Sequence, residues 1–594
     1  MRGRRGPPWS LAPLAALFLL VGALPFVAAL AESFLHDAYG VRSFAGLENY
    51  RRLAGDRAFG LSALITAAWA ALSTLLSVSI GYALATLLHE SKRAFRVLYL
   101  ALLVPWGVPA FIAVPVWRML IHGSGGDSIL ASLRGIKVNL LTDPGRSFVT
   151  ALLVGAWMNA PAAVFVIYGA LRKIPRRVVE AARIDGAGPA ALSRRIYLPQ
   201  VGPTLLAVAA LEFAKSFKEF NVPFLLTAGG PSLVGGITDR TVVGATTTLE
   251  IYLYDLFQSS EDFGLAAAYA AVLAAATCAL VALAYAARRV AASRPPGEAA
   301  PEGGAPARAG GRRIAMAGPA ADAAWTALRW TLAILSAASA VLAAYALAWT
   351  SLSRLSSNYV DAFLPRFFTL RNYLEIFTRD GIWRPFLNTL GVSLATAALM
   401  PLVVMPAALR LRSARPATKA GLFALAQALG TAGGMHSLVP LYAVFRSLGL
   451  VDSYLPIVLV YLFHAAPFSL FTTSAFLEGL PPGLEEAAEL EGAGPAARLF
   501  RVTLPLALPA VATCAMTAFL AAWNGFLVPL LFLSDDAKYT IGIRLHAYVG
   551  SVASGSPLWN RFSAASIVNL ALIGLVFLRF RSPLSSEDAA HQEE

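Results

Sequence analysis

Apolar residues fill this chain in long blocks, with neither the alternation of a half-buried strand nor the narrow stripe of a surface helix. Twelve blocks are each long enough to cross roughly 30 Å of hydrocarbon, which takes about 20 helical residues. They lie near 11–31, 59–88, 97–121, 148–171, 201–227 and 263–287, then 325–350, 386–409, 419–445, 454–477, 505–533 and 562–582. Short polar connections separate them. One connection, 288–324, is longer, rich in Pro, Gly, Ala and Arg, and reads as a linker. The pattern predicts an all-α membrane protein of about twelve transmembrane helices, arranged as two six-helix halves, 1–287 and 325–594.

The halves repeat each other. Glu180-Ala181-Ala182-Arg183-Ile184-Asp185-Gly186-Ala187-Gly188 returns as Glu486-Ala487-Ala488-Glu489-Leu490-Glu491-Gly492-Ala493-Gly494, 306 positions later. Leu198-Pro199 and Pro203 return at the same offset as Leu504-Pro505 and Pro509. A helix-forming Glu-Ala-Ala turn stopped by glycine predicts a helix–turn–helix loop between two spans. Two such loops in register predict an internal duplication.

Composition agrees and excludes other classes. The chain is 57% hydrophobic and 14% charged, with a mean hydropathy of +0.63, more apolar surface than a soluble domain hides. The net charge of +14 comes without a basic face or a stacking motif, so nucleic acid is not an expected partner. Lysines and arginines concentrate on the connections that share a side with the repeated loops, which places both termini in the cytoplasm. Arg2, Arg4 and Arg5 before an apolar stretch also fit a cleaved signal peptide, but the stretch is longer than the usual signal core. Cys278 and Cys514 lie inside apolar blocks and predict no disulfide framework. His436 and His464 have no second ligand at metal spacing and are expected to be hydrogen-bonded packing residues. Gly430, Gly433 and Gly434 are expected to allow close helix approach. No catalytic set appears, and no Gly-x-x-x-x-Gly-Lys-Ser/Thr loop exists to cradle ATP phosphates.

The repeated loop runs Glu-Ala-Ala, three residues, Gly, nine residues, an aliphatic residue, one residue, then Leu-Pro. It resembles the cytoplasmic signature of ATP-binding-cassette (ABC) importer permeases. The stretches Val104–Phe111, Leu225–Pro231 and Asp262–Ala268 resemble the larger permease subunit of maltose-type carbohydrate importers. Ser437–Tyr442, Trp523-Asn524 and Phe562–Ala565 resemble the smaller one, so the chain looks like the two fused. The resemblance implies that Glu180, Ala181, Ala182, Asp185 and Gly186 form one coupling helix for an ATPase subunit, and Glu486, Ala487, Ala488, Glu491 and Gly492 a second. It further implies two ATPase subunits that hold the ATP, no cofactor on this chain, a soluble extracytoplasmic solute-binding protein, a sugar substrate, and a bacterial or archaeal cytoplasmic membrane.

One block breaks the apolar rule. Glu212, Lys215, Ser216 and Glu219 fall at i, i+3, i+4 and i+7, one helical stripe, with Lys218 off it. Charges at membrane depth cost roughly 2.5–3.5 kcal/mol each on insertion scales and normally face a cavity or one another. The offset of 306 sends these positions to Ala518, Ala521, Ala522 and Gly525, while Pro161, Phe220 and Pro223 keep their identities. The first half alone is therefore expected to form the binding site, unless Glu212–Lys215 or Lys215–Glu219 is only an ion pair joining helices. By position, the family resemblance assigns substrate contacts to Trp106, Ala110, Met158, Asn159, Ala162, Glu212, Lys215, Ser216 and Glu219. The charged residues there, and the small Ala110 and Ala162, depart from the maltose pattern. Importers of glycerol phosphate, polyamines or amino acids stay open as alternatives, as does a proton-coupled secondary transporter, which has no use for two matched loops.

Overall fold

The computed structural model describes residues 8–38, 41–122, 139–235, 242–259, 262–293, 318–354, 368–412, 414–431, 433–480, 483–551 and 557–584. The first half contains α1 (Ala12–Glu32), α2 (Arg57–Glu90), α3 (Lys92–Gly107), α4 (Ala110–His122), α5 (Pro144–Leu171), α6 (Arg176–Ile184), α7 (Leu198–Phe217), α8 (Asn221–Thr227), α9 (Leu249–Ser259) and α10 (Phe263–Ser293). The second contains α11 (Pro319–Leu352), α12 (Trp383–Arg412), α13 (Pro416–Thr431), α14 (Met435–Ser447), α15 (Tyr454–Gly479), α16 (Gly483–Leu490), α17 (Leu508–Trp523), α18 (Leu527–Phe532), α19 (Ile541–Val549) and α20 (Trp559–Leu584). The linker's ends are helical, to Ser293 and from Pro319, and 294–317 lie outside the described residues.

Among the described residues nine helices are long and apolar enough to cross a membrane, or eleven if two bent pairs each count as one span. Within the described residues, three of the expected blocks are bent or divided. The block 97–121 bends by 112° between α3 and α4, where Pro109 has no N–H to continue the ladder. The chain entering α17 bends by 57° between Pro505 and Pro509. The block 419–445 divides into α13 and α14 at Gly433-Gly434. There a Cβ on Gly433 would overlap the His464 ring, and one on Gly434 would crowd the Glu250 carboxylate. The close approach expected of these glycines is made by side chains from other elements.

Each half packs its second and fourth spans together, α2 on α5 and α12 on α15. The first span of each half lies on the other half. Thus α1 packs on α12, α14 and α15, with Phe18 edge-on to Phe463 at 5.2 Å. In return α11 packs on α2, α3 and α4, and Trp157 Nε1 donates to Ser339 Oγ at 2.8 Å. The Asn-Tyr pairs fix the far ends of these two spans alike. Asn49 Nδ2 donates to the Ser33 and Leu35 carbonyls, both at 2.9 Å. Asn372 Nδ2 donates to those of Ser351 and Ser353, at 2.8 and 2.9 Å.

On that same end lie two small hairpins, β1 (Leu35–Ala38) with β2 (Val41–Phe44) and β3 (Ser232–Gly235) with β4 (Val242–Gly244). The segment beyond β4 is helical: α9 begins where Leu249 N–H donates to Thr66 Oγ1 at 2.8 Å. Its counterpart α19 begins where Ile541 N–H donates to Thr389 Oγ1, also at 2.8 Å. Asp452 ties two loops of this end together, accepting from Lys538 Nζ at 2.6 Å and from the Ser534 N–H at 2.9 Å. Lys538 and that amide hold the Asp452 carboxyl down at about 2, below the ~3.9 of an unfolded chain. Its stabilisation is present above the unfolded value and lost as pH falls toward about 2. Asp452→Asn is expected to flatten the acid limb of the melting temperature against pH; a profile identical to wild type would refute this.

Candidate functional site

The two repeated loops have one geometry. Helix α6 stops at Ile184, and Gly186 takes a left-handed φ of +85°; α16 stops at Leu490, and Gly492 takes +84°. Across each glycine the next amide reaches back five residues: Ala187 N–H to the Ala182 carbonyl and Ala493 N–H to that of Ala488, both at 2.9 Å. This is a Schellman ending, which pairs carbonyls that a helix end otherwise leaves free. A short helix follows in each (Pro189–Leu192, Pro495–Arg498), then a wide turn (Ser193–Tyr197, Leu499–Thr503) that feeds the next span.

Glu180, Ala181, Asp185 and Gly186 are exposed in the first loop, and Ala182 is buried beneath them. In the second, Ala487, Glu491 and Gly492 are exposed and Ala488 is half-buried, with Glu486 on the same helix. Each loop also carries an aliphatic tip that motif reading passed over, Ile184 at 86% exposure and Leu490 at 89%. One exposed aliphatic residue is ordinary on a surface. Two at the 306 offset in otherwise polar turns were the available signal.

The polar stripe is built differently from the sequence expectation. Helix α7 carries Glu212, Lys215 and Ser216 but ends at Phe217, and tight-turn bonds from Lys218 and Glu219 N–H to the Lys215 and Ser216 carbonyls close it. Glu219 therefore lies beyond the helix, its Oε1 accepting from the Val222 N–H at 3.2 Å at the start of α8. Lys215 Nζ donates to Asn159 Oδ1 on α5 at 2.6 Å. No ion pair joins it to Glu212 or Glu219 among the described residues. Glu212 is buried, and its Oε2 has no hydrogen-bond partner.

Met158 and Ala162 flank Asn159 on α5, both half-buried. Trp106 stands 60% exposed at the α3–α4 bend, edge-on to Phe165 at 6.1 Å, and Ala110 opens α4. Asn159 and Lys215 are brought together; Trp106 meets α5 six residues further on, about 9 Å along the helix.

The halves are also joined by buried polar contacts. Glu250 on α9 accepts from the Met435 N–H and meets His436 Nδ1 at 2.8 Å, with both side chains 1% exposed. His436 is thus the packing histidine expected, and Glu250 was not foreseen. Arg118 on α4 donates to the Val549 and Gly550 carbonyls at 2.7 Å each. Among the described residues no group of His, Cys, Asp and Glu is placed to hold a metal ion.

The sequence model of the binding-protein-dependent transport system inner membrane components matches this chain at residues 77–292 and again at 376–582. The chain belongs to that family. An ABC transporter permease protein of Streptomyces antibioticus is 34% identical over 227 residues, which are 37% of this chain and 97% of that one. The trehalose/maltose transport system permease protein MalF of Thermococcus litoralis is 28% identical over 260 residues, 43% of this chain and 84% of its own. The maltose/maltodextrin transport system permease protein MalF of Escherichia coli K12 is 32% identical over 238 residues, 38% of this chain and 46% of its own. Among solved structures, a bacterial ABC transporter involved in alginate import covers 43% of this chain at 20% identity and a TM-score of 0.35. A second, in complex with an alginate pentasaccharide-bound periplasmic protein, covers 47% at 19% identity and 0.38.

In this inner membrane component the two halves differ where the stripe lies. Position 525, matching Glu219, is glycine, and any Cβ there would overlap the Tyr461 hydroxyl. Position 155, matching Tyr461, is glycine in turn. The second half fills with a tyrosine ring the space beside α17, and the alanines 518, 521 and 522 complete an apolar surface.

Proposed function

We propose that this chain is the transmembrane permease of an ABC importer, the larger and smaller permease subunits in one polypeptide. Two ATPase subunits dock on the loops at Glu180–Gly186 and Glu486–Gly492, and a soluble binding protein delivers substrate to the opposite face. The observation that carries the reading is the duplicated Schellman loop, each copy with acidic residues, an alanine seat and an exposed aliphatic tip. In this reading both termini and both loops are cytoplasmic, in the cytoplasmic membrane of a bacterium or archaeon.

The substrate class proposed is a carbohydrate, bound by the first half through Trp106, Ala110, Met158, Asn159, Ala162, Glu212, Lys215, Ser216 and Glu219. Relatives named for maltose and trehalose support it. So does the chemistry of the residue types, since an aromatic face suits a pyranose ring and amide, hydroxyl and carboxylate groups suit its hydroxyls. Two carboxylates against one lysine, itself engaged by Asn159, disfavour an acidic polysaccharide and suit a neutral or amine-bearing one. ATP-dependent uptake in proteoliposomes holding this chain, its ATPases and a sugar-loaded binding protein tests the whole reading; transport without ATP would sink it. Lys215→Met and Glu212→Gln are each expected to weaken uptake affinity roughly tenfold, what losing one charge-assisted hydrogen bond does, at unchanged membrane abundance. Unchanged affinity in both would make the stripe mere packing.

A further inference from the structure

We propose that Asp322, at the start of α11, fastens the first repeated loop to the second half of the chain, so that movement of that loop is passed across to α11. This rests on the importer reading above. Asp322 Oδ1 accepts from the Ala190 N–H at 2.8 Å. Ala190 is the second residue of the helical turn Pro189–Leu192, so its N–H is a donor that the turn itself leaves unpaired. The residue before that turn is Gly188, which has no side chain to serve as a cap. Asp322 supplies the missing acceptor from another helix. Its carboxylate occupies the very space a Cβ on Gly188 would need.

Two further contacts tie the same parts. Trp325 lies 6.3 Å from the Tyr82 ring, whose hydroxyl donates to the Ser193 carbonyl at 2.7 Å, just past the loop. Arg329 meets Glu90 at the end of α2 at 2.8 Å, its side chain only 3% exposed. Loop, α2 and α11 thus form one body.

The second loop differs at this point. Gly494, the match of Gly188, has open space where its Cβ would lie. The two loops are therefore unequal transmitters. The first moves its own half and also α11, which rests on α3 and α4 and so on the bend that bears Trp106.

The test uses the full chain with its ATPases and binding protein in proteoliposomes, measuring ATP hydrolysed per solute imported. Asp322→Ala is expected to raise that ratio roughly fivefold, the factor that accompanies loss of one cap, at normal abundance and normal ATPase recovery. Asp322→Asn keeps an acceptor and should restore coupling, which bulk destabilisation would not predict. Gly188→Val should act as Asp322→Ala does, and Gly494→Val should not.

A second readout needs no ATPase. Spin labels at the exposed positions Ile184 and Ala320, with Cys278 and Cys514 replaced by alanine, report the loop-to-α11 distance in detergent. One narrow distance that broadens in Asp322→Ala supports the fastening. Equal distributions and an unchanged ATP ratio overturn it. Wild-type uptake that consumes no ATP would overturn the importer reading, and the distance measurement would still decide the fastening by itself.

Discussion

Replacing Gly186 and Gly492 together by valine is expected to abolish ATP-driven uptake and the recovery of ATPase with the purified chain, while the protein still reaches the membrane. Both glycines sit at left-handed φ, +85° and +84°, a region that costs an L-residue about 1–2 kcal/mol and a β-branched one more. Valine turns the chain out of the Schellman ending, so Ala187 and Ala493 lose their bonds to Ala182 and Ala488. The helix end then frays, and Ile184 or Leu490 no longer stands in a fixed place. Each single variant is expected to keep one docked subunit and lose most of its transport; alanine at either site should fall between glycine and valine. Uptake and co-purification by the double variant at wild-type levels would remove the loops from the mechanism.

The largest loss of stability is expected from Glu250→Ala. Its carboxylate is buried between the halves and serves both His436 and the Met435 N–H. Removing one partner of a buried pair typically costs roughly 3–5 kcal/mol, because the other is left without compensation. His436→Ala should cost less, since Glu250 keeps the Met435 amide, and the double variant should cost less than the two singles added. Melting in detergent followed by size-exclusion chromatography measures all three. A Glu250→Ala protein that melts with wild type would show that apolar packing alone joins the halves here.

Block hydrophobicity and the Glu-Ala-Ala…Gly repeat were readable because their causes are local: backbone groups in lipid must pair within a helix, and glycine tolerates the left-handed turn. What could not be read has distant causes. Helices α9 and α19 begin on hydroxyls of Thr66 and Thr389, 183 and 152 residues away in sequence. The block 419–445 looks continuous until Glu250 and His464 press on its glycines. Helical spacing drew Glu219 into one stripe with Glu212, but α7 stops two residues short of it. The partner of Lys215 is an amide 56 residues earlier, outside any helical spacing. Spacing identifies which residues share a face, but it does not say where the helix ends or what stands opposite.

The placement of α1 and α11 has a consequence for how such a chain is assembled. Neither half can complete its packing until the other has been inserted, because each contributes the helix that covers its neighbour. Were they separate molecules, each would wait incomplete while diffusing in the plane of the membrane. A covalent connection makes that search intramolecular, at an effective concentration on the order of millimolar, and guarantees that the two unlike halves are made and meet one to one.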